Sequence, residues 1–248
     1  MNYDQEMQLI EGYADKMIAS DIPGAQRGIV WLMERVGHCT ASRFKDVEDI
    51  LKSGKPGAKR ISYLWEVVIE RLTGKPTEHY VSAPMEWGTA TEPLARMAYE
   101  ARTGNMVVET GFTHHKAVKW CGGSVDGLVD DAGIIEIKCP SSATHIKQLL
   151  TNECEHLAQI QGGLWITGRQ WCDYISFDPR LPERLQLYVV RINRDDDYIA
   201  ELAGNVLKFL AEVDELVTRL NQIGAAQESP PVNPSPVPAP SPSLADQA

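Results

Sequence analysis

Paired cysteines, long apolar runs and an excess of basic residues are all missing from this sequence. Its five cysteines are scattered over 248 residues with no C-x-x-C pair, which gives no support for a zinc ribbon or a redox motif. No apolar run approaches the ~20 residues that a membrane span needs, and the acidic, amphipathic N-terminus is unlike a secretory or mitochondrial leader. We therefore expect free thiols in a reducing cytoplasm and no association with a membrane.

The net charge of −10 argues against a generally basic nucleic-acid-binding protein. It does not exclude DNA, because local clusters of charge act over roughly 10 Å at physiological salt. The densest basic stretch is LKSGKPGAKR, which contributes Lys52, Lys55, Lys59 and Arg60. A solvated loop is the usual explanation of such a run. The more specific explanation is a basic strip that binds along a DNA backbone.

The composition divides the chain into one globular region and a proline-rich tail. Residues 1–223 contain the periodic apolar patterns of a single domain, whereas residues 224–248 include the run QESPPVNPSPVPAPSPSLADQA. A segment with so few large apolar residues cannot bury a core, so we expect it to be disordered and partly polyproline II. A solvated tail is the simpler interpretation, and a tether or docking peptide is the alternative.

The periodicity of apolar residues changes from helical to strand-like and back along the chain. Helices are predicted over residues 3–19, 61–73, 92–103, most of 143–167, and 195–223. Strands are predicted over residues 107–113, 117–122, 125–129, 134–138, 171–177 and 185–192. The apolar residues expected to face inward from the second and third helices are Ile61, Leu64, Trp65, Val68 and Leu72, and Leu94, Met97 and Ala101. This order of elements predicts an α+β or mixed α/β fold.

Charged residues interrupt the apolar stretch GSVDGLVDDAGIIEIKCP, residues Gly123–Pro140. Alternate residues of a strand share a face, so Glu136 and Lys138 point one way and the intervening isoleucines the other. A short hairpin would bring Asp126 beside Glu136. Two close carboxylates repel each other unless a cation such as Mg²⁺ neutralises them, and a lysine beside them could orient a water for phosphodiester hydrolysis. The alternative is a solvated pair on a half-exposed strand.

Further polar residues could complete such a site. Glu92 precedes Pro93 at the expected start of a helix, where it is either part of a capping box with Thr89 or a third carboxylate for the metal. Gln159 and Gln161 lie roughly 200° apart on one helix, so one of them faces the site, and we favour Gln159. The stretch WLMERVGHCTASRF supplies residues typical of phosphate sites, namely Arg35, Thr40, Ser42 and Arg43.

Taken together, these segments resemble the phage lambda exonuclease or YqaJ-type viral recombinase family, within the PD-(D/E)xK nuclease superfamily. The resemblance is carried in order by WLMERVGHCTAS, ISYLWEVVIERLTG, MEWGTATEPLARMAYE, the metal hairpin, LAQIQGGLWITGRQW and YISFDPRLPERLQLYVVRINRD. It implies a restriction-endonuclease-like core, with a central mixed β-sheet flanked by helices. In one departure, Val125 precedes Asp126 where relatives have Pro-Asp, and we expect a small effect on the backbone.

The resemblance also implies an activity: a Mg²⁺-dependent (Mn²⁺ is possible) two-metal exonuclease that acts 5′→3′ on double-stranded DNA ends. It would release 5′-mononucleotides and leave a 3′ strand for phage-type recombination with a single-strand annealing protein. Family members are ring-shaped homotrimers, and a basic ring lining is compatible with an acidic exterior. The implied location is the cytoplasm of a bacterial host, with a phage or prophage gene.

The residue roles that the resemblance implies fall into three groups. The metal ligands would be Asp126, Glu136, the Ile137 carbonyl and Glu92. Lys138 would position the attacking water and help to deprotonate it. Contacts with the 5′-phosphate and DNA would come from Arg35, Ser42, Ser124 and Gln159, with Lys52 and Lys55 on the backbone.

Two alternatives remain open. A different PD-(D/E)xK nuclease would be an endonuclease able to cut closed circles, although no nucleotide-binding G-x-x-x-x-G-K-[ST] loop or iron–sulfur cysteine spacing is present. The second alternative is a protein that binds DNA ends without cutting them. The presence of all three catalytic-type residues, Asp126, Glu136 and Lys138, argues against it.

Overall fold

Two β-sheets and the helices around them make up the fold. The computed structural model describes residues 28–77 and 82–228. Helices occupy Ile29–Arg35 (α1), Phe44–Val47 (α2), Ala58–Thr73 (α3), Ala83–Thr103 (α4), Ser142–Thr151 (α5), Leu157–Thr167 (α6) and Asp196–Glu228 (α7), with 3-10 turns at Ala41–Arg43 and Glu183–Leu185. Strands occupy Cys39–Thr40 (β1), Val107–Val108 (β2), Thr113–His114 (β3), Cys121–Gly123 (β4), Gly127–Val129 (β5), Gly133–Lys138 (β6), Trp171–Phe177 (β7) and Leu187–Asn193 (β8).

Both sheets are mixed, and the chain passes from one to the other just before the expected metal hairpin. The larger sheet has the order β2-β5-β6-β7-β8, in which only β6 and β7 are parallel. The smaller sheet has the order β1-β4-β3, with β1 parallel to β4. Strand β4 ends at Gly123 and β5 begins at Gly127, so residues 124–126 form the crossover. The predicted α/β fold, with mixed sheets flanked by helices, is confirmed.

Both faces of β6 are covered by helices. Ile135 and Ile137 pack in one cluster with Ala95 and Tyr99 of α4. On the other face, Ile134 packs against residues of α6. We expected one face of β6 to pack in the core and the other to form the site. This holds only at the C-terminal end of β6, where Glu136 and Lys138 lie.

The predicted inward face of α3 is right at Val68, which is buried, and at Leu64, which is partly buried against the core, but it is wrong at the other three residues. Ile61, Trp65 and Leu72 are exposed, and the buried face instead carries Tyr63, which stacks on Phe209 of α7 with ring centroids 5.2 Å apart. Arg60 lies on the same buried face because both of its terminal nitrogens bond Glu212 at 2.8 Å. A paired arginine can be buried where its isolated charge could not, and the helix is rotated accordingly.

The predicted start and inward face of α4 are also wrong. The helix begins at Ala83, and Pro93 lies inside it. Leu94, Met97 and Ala101 are exposed, whereas the buried residues are Thr91, Ala95 and Tyr99. The capping box is excluded because Thr89 is within the helix and donates its hydroxyl to the Met85 carbonyl at 3.0 Å. Glu92 is thus held by a continuous helix, on the side that faces the sheet.

Other boundaries differ by less. The predicted helix over residues 143–167 is two helices, α5 and α6, and α7 continues five residues past the expected end at residue 223. The helix predicted over residues 3–19 and the tail beyond residue 228 lie outside the described residues. Within residues 28–77 and 82–228, no helix is both long and apolar enough to cross a membrane.

Two glycine-to-alanine substitutions test the packing of α6 on α2. A Cβ at Gly162 would lie 2.4 Å from the Phe44 ring, whereas one at Gly204 of α7 would meet nothing within 4 Å. We expect Gly162→Ala to lower the free energy of unfolding by about 1–3 kcal/mol through overpacking. Gly204→Ala should raise it by about 0.5–1 kcal/mol, because alanine favours a helix. Urea denaturation measures both, and equal stability of the two variants would contradict the packing described.

Candidate active site

One side-chain-to-backbone hydrogen bond fixes the acidic hairpin. The Asp126 carboxylate accepts from the Ile137 amide at 2.7 Å, and the Asp126 amide donates to the Ile135 carbonyl at 3.2 Å. The β5–β6 register pairs Gly127 with Ile135, so Asp126 lies next to Glu136. The hairpin geometry predicted from the sequence is therefore present.

Glu136, Lys138 and Gln159 form one hydrogen-bonded cluster at the end of β6. The Lys138 ammonium lies 2.6 Å from Glu136 Oε1 and 3.3 Å from Gln159 Oε1. The Gln159 amide of α6 donates to the same Glu136 oxygen at 2.6 Å. Gln161 instead donates to the Asn193 carbonyl at 2.9 Å, which is a structural contact. Of the two glutamines, Gln159 is the one that faces the cluster.

Arg96 ties Glu92 to the hairpin, and sequence reasoning missed it. Its guanidinium lies 3.2 Å from Glu92 Oε1 and donates to the Asp126 carbonyl at 3.4 Å. Its side chain is only 12% exposed. The available signal was the i, i+4 spacing from Glu92 on a helix, which places an opposite charge beside the acid.

The buried charges shift one another's pKa values. Burial, and then the charge of Glu136, raise the pKa of Asp126 well above its usual range, with Lys138 opposing them. Burial also raises the pKa of Glu136, again against the effect of Lys138. Burial alone would lower the pKa of Lys138, but Glu136 and Asp126 outweigh it and raise the pKa. Two acids thus compete for one ammonium, a charge excess that a bound cation would relieve.

The residues expected to bind metal supply hard oxygen donors: the carboxylates of Glu92, Asp126 and Glu136, and the Ile137 carbonyl. This donor chemistry fits a cation such as Mg²⁺. In the described part of the chain, however, no three His, Cys, Asp or Glu side chains converge as a metal-binding group. Each carboxylate has its own partner: Arg96, the Ile137 amide, or Lys138 with Gln159. Ion binding therefore requires these side chains to exchange some of their present partners.

A second group of polar residues gathers around Trp31. Arg35 lies 3.4 Å from the Ser42 hydroxyl, and its guanidinium stacks 4.5 Å from the centre of the Trp31 ring. The indole N–H of Trp31 donates to the Ser124 hydroxyl at 2.7 Å. Three of the four residues predicted to bind phosphate, Arg35, Ser42 and Ser124, are therefore linked through an aromatic residue that sequence reasoning did not single out. Only its place in the motif WLMERVGHCTASRF could have signalled it.

The other candidate DNA contacts are less closely connected with the site. Arg43 is committed to Asp46 at 2.6 Å and to Glu66 at 2.9 Å, and Arg60 is buried in its pair with Glu212. Lys52 and Lys55 stand in an exposed turn and do not line the cavity that contains Glu92 and Lys138. Of the basic strip predicted from the sequence, only the lysines are exposed and able to contact DNA, because Arg60 is buried.

The two groups line adjoining cavities. One cavity, of 490 Å³, is lined by Glu92, Ile137 and Lys138, by other residues of α4 and α5, and by the residues just before α6; we call it the catalytic cleft. Asp126, Glu136 and Gln159 are not among its lining residues. A second cavity of 340 Å³ is lined by Trp31, Arg35, Thr40 and Arg43, and we call it the Arg35 cavity. Met85 lines both. The two cavities therefore meet at Met85.

Comparisons with known proteins support the family resemblance and the fold. The YqaJ-like viral recombinase domain matches residues 30–170. The crystal structure of an alkaline exonuclease from Laribacter hongkongensis is 40% identical, covers 80% of this chain and 98% of its own, and superposes with a TM-score of 0.74. A structure of that exonuclease in complex with dAMP is 41% identical with the same coverage and TM-score. A phage-related exonuclease from Haemophilus somnus is 17% identical, covers 74% of this chain and 96% of its own, and shares the fold with a TM-score of 0.61.

The charge excess of the cluster leads to a test of the metal site. We expect Mg²⁺ or Mn²⁺ to raise the melting temperature, because at 100 times its Kd a ligand of the native state adds about 2.7 kcal/mol of stability. Asp126→Asn should abolish this rise. It should leave the metal-free protein at least as stable as wild type, because it removes one of two carboxylates that compete for Lys138 while an amide oxygen can still accept from Ile137. Differential scanning fluorimetry measures both.

The matched control for that test is Glu183→Gln, which removes an exposed carboxylate from the 3-10 turn far along the chain. It should keep the full metal-dependent rise. A rise that persists in Asp126→Asn would place the metal elsewhere.

Proposed function

Since the chain belongs to the YqaJ-like viral recombinase domain family and is an exodeoxyribonuclease with the PD-(D/E)xK fold expected from its sequence, we propose that it is a Mg²⁺-dependent 5′→3′ exonuclease of double-stranded DNA. The observation that carries the proposal is the buried pair of Asp126 and Glu136 with Lys138, which lines a cleft that shares Met85 with the Arg35 cavity. The cluster supplies hydrolytic chemistry, and the neighbouring cavity supplies an anchor for a terminal phosphate.

In the proposed reaction, a water oxygen bonds to the phosphorus of the first internucleotide link and the P–O3′ bond breaks. Lys138, held as an ammonium between Glu136 and Gln159, positions this water, and its positive charge helps the water to lose its proton by stabilising the developing hydroxide. The departing O3′ takes up a proton from solvent. Bound Mg²⁺, held by Asp126, Glu136, the Ile137 carbonyl and Glu92, would supply Lewis-acid stabilisation of the developing charge. The released mononucleotide carries the old 5′-phosphate, and the shortened strand carries a new one.

The 5′-phosphate is proposed to bind Arg35, Ser42 and Ser124, with Gln159 reaching from the catalytic cluster. An arginine and hydroxyl donors are suited to a phosphate, and holding it fixes the next link at the cluster by proximity. Burial lowers the pKa of Arg35. A partly desolvated guanidinium of this kind gains more from an anionic partner than one in open water would.

The biological setting is proposed from the family resemblance. The chain would act as a ring-shaped homotrimer with a single-strand annealing protein, in phage-type recombination within a bacterial cytoplasm. Lys52 and Lys55 would follow the DNA backbone, and Mn²⁺ could replace Mg²⁺. Residues 1–223 would form the nuclease domain and residues 224–248 the tail, although α7 itself continues to Glu228.

Replacing Lys138 tests the catalytic assignment. Lys138→Ala should lower the rate on linear 5′-phosphorylated duplex DNA by about 10²–10⁴-fold, the usual loss for a proton-transfer group, while DNA binding persists. Lys208→Ala on the exposed face of α7 is the control and should keep full activity. Comparing 5′-phosphorylated, 3′-phosphorylated and closed circular duplexes in Mg²⁺ gives the polarity. Cutting of circles would favour an endonuclease instead.

Replacing Trp31 tests the phosphate assignment. Trp31→Phe keeps a ring beneath Arg35 but removes the N–H that holds Ser124. We expect KM to rise on 5′-phosphorylated duplex and the preference over a 5′-hydroxyl end to fall by about 2–10-fold, the worth of one hydrogen bond. Trp65→Phe alters an exposed tryptophan of α3 and should change neither quantity. An equal loss on both kinds of end would show that Trp31 acts on stability alone.

A further inference from the structure

Beyond the Arg35 cavity lies another basic cavity, to which no role has been assigned so far. It has a volume of 370 Å³ and is formed largely by the turn between β3 and β4. Its polar and aromatic lining consists of His38, His114, His115, Lys119 and Trp120, and we call it the histidine cavity. None of the residues of the catalytic cluster lines it.

The turn that carries these side chains is fixed by its own hydrogen bonds. The His115 Nδ1 accepts from the amides of Ala117 at 3.1 Å and Val118 at 2.9 Å. The proton of the neutral ring is therefore on Nε2, which makes this nitrogen a donor. The Trp120 carbonyl accepts from the Cys39 amide at 2.8 Å, which joins the turn to β1. The lining groups are thus held in place before any ligand binds.

The cavity combines cationic or donor groups with aromatic rings. The His38 ring lies 5.0 Å from the rings of both His114 and Trp120. The Lys119 ammonium is 5.5 Å from the Trp120 ring centre, and its side chain is exposed. Cations beside ring faces are the combination that binds single-stranded nucleic acid, with the phosphate on the cation and the base against the rings.

The three cavities form a series because they share lining residues. Met85 lines both the catalytic cleft and the Arg35 cavity, and His38 lines both the Arg35 cavity and the histidine cavity. The Arg35 cavity includes two carboxylates, Glu66 and Glu70, whereas no Asp or Glu among the described residues lines the histidine cavity. An anionic chain that passes the Arg35 cavity therefore meets only neutral or basic groups.

We propose that the histidine cavity is a nucleotide-binding subsite for a single-stranded 5′ extension of the digested strand. The proposal rests on the function proposed above, in which the 5′-phosphate at Arg35 is one nucleotide from the scissile link. On a strand with a short 5′ overhang, an internal phosphate would occupy the Arg35 cavity and the extra nucleotides would occupy the histidine cavity. Water would still break the P–O3′ bond at the cluster, so the first product would be an oligonucleotide one residue longer than the overhang.

The test compares blunt duplex DNA with duplex DNA that carries a two-nucleotide 5′ overhang, both with a labelled 5′-phosphate. Wild type should release a labelled mononucleotide from the blunt end and a labelled trinucleotide from the overhang. Lys119→Ala and His114→Ala each alter an exposed side chain. We expect each to keep the blunt-end rate and to slow initiation on the overhang by about two- to tenfold, as for loss of one ordinary hydrogen bond.

Lys116→Ala is the matched control, because Lys116 is exposed in the same turn but does not line the cavity. It should match wild type on both substrates. A first product of one nucleotide from the overhang, no cutting of the overhang, or equal slowing on both ends would overturn the proposal. Absence of a labelled mononucleotide from blunt DNA with wild type would instead overturn the proposed 5′→3′ polarity, so the two failures are distinguishable.

Discussion

The candidate site depends on the hydrogen bond between the Asp126 carboxylate and the Ile137 amide. This bond of 2.7 Å joins the crossover that leaves the smaller sheet to the central strand of the larger one. Ser124 is in the same crossover, two residues earlier, and contacts Trp31. The hydrogen bond therefore positions one acid of the catalytic cluster and, through a short stretch of backbone, also fixes the distance from that acid to the proposed phosphate anchor.

The cluster is held together at an electrostatic cost. Glu136 is only 3% exposed, and Lys138 is its ion-pair partner. Removing such charges from water costs several kcal/mol for each ion, and a single ammonium cannot compensate for both Asp126 and Glu136. Burial is the main cause that raises the pKa values of both acids, and Lys138 opposes it. A site of this kind is poorly explained by stability alone, and it is well explained by a cation that balances the charge during function.

Sequence patterns predicted the parts of the site that depend on local geometry. The alternation along β6 and the short turn before it were sufficient to bring Asp126 to Glu136. The prediction of the buried face of α3 was partly wrong because an ion pair with another helix decides which side of α3 is buried. Arg60 is inside because Glu212 of a distant helix binds it, so an apolar stripe around Trp65 was left outside. The sequence pattern predicts a helix start near Pro93, whereas α4 begins ten residues earlier and continues through it.

The arrangement of anchor and cluster explains why an end-specific nuclease suits this chain. Asp126 comes two positions after Ser124, so their Cα atoms are at most ~7 Å apart. On the proposed function, a terminal phosphate held by Ser124 and Arg35 is thus kept about one nucleotide from the acids, because the same backbone segment carries both. Trp31 makes this spacing stiffer, since its indole bonds Ser124 while its ring supports Arg35. The specificity for an end is then a property of the crossover between the two sheets, and the catalytic cluster itself need not distinguish one phosphate from another.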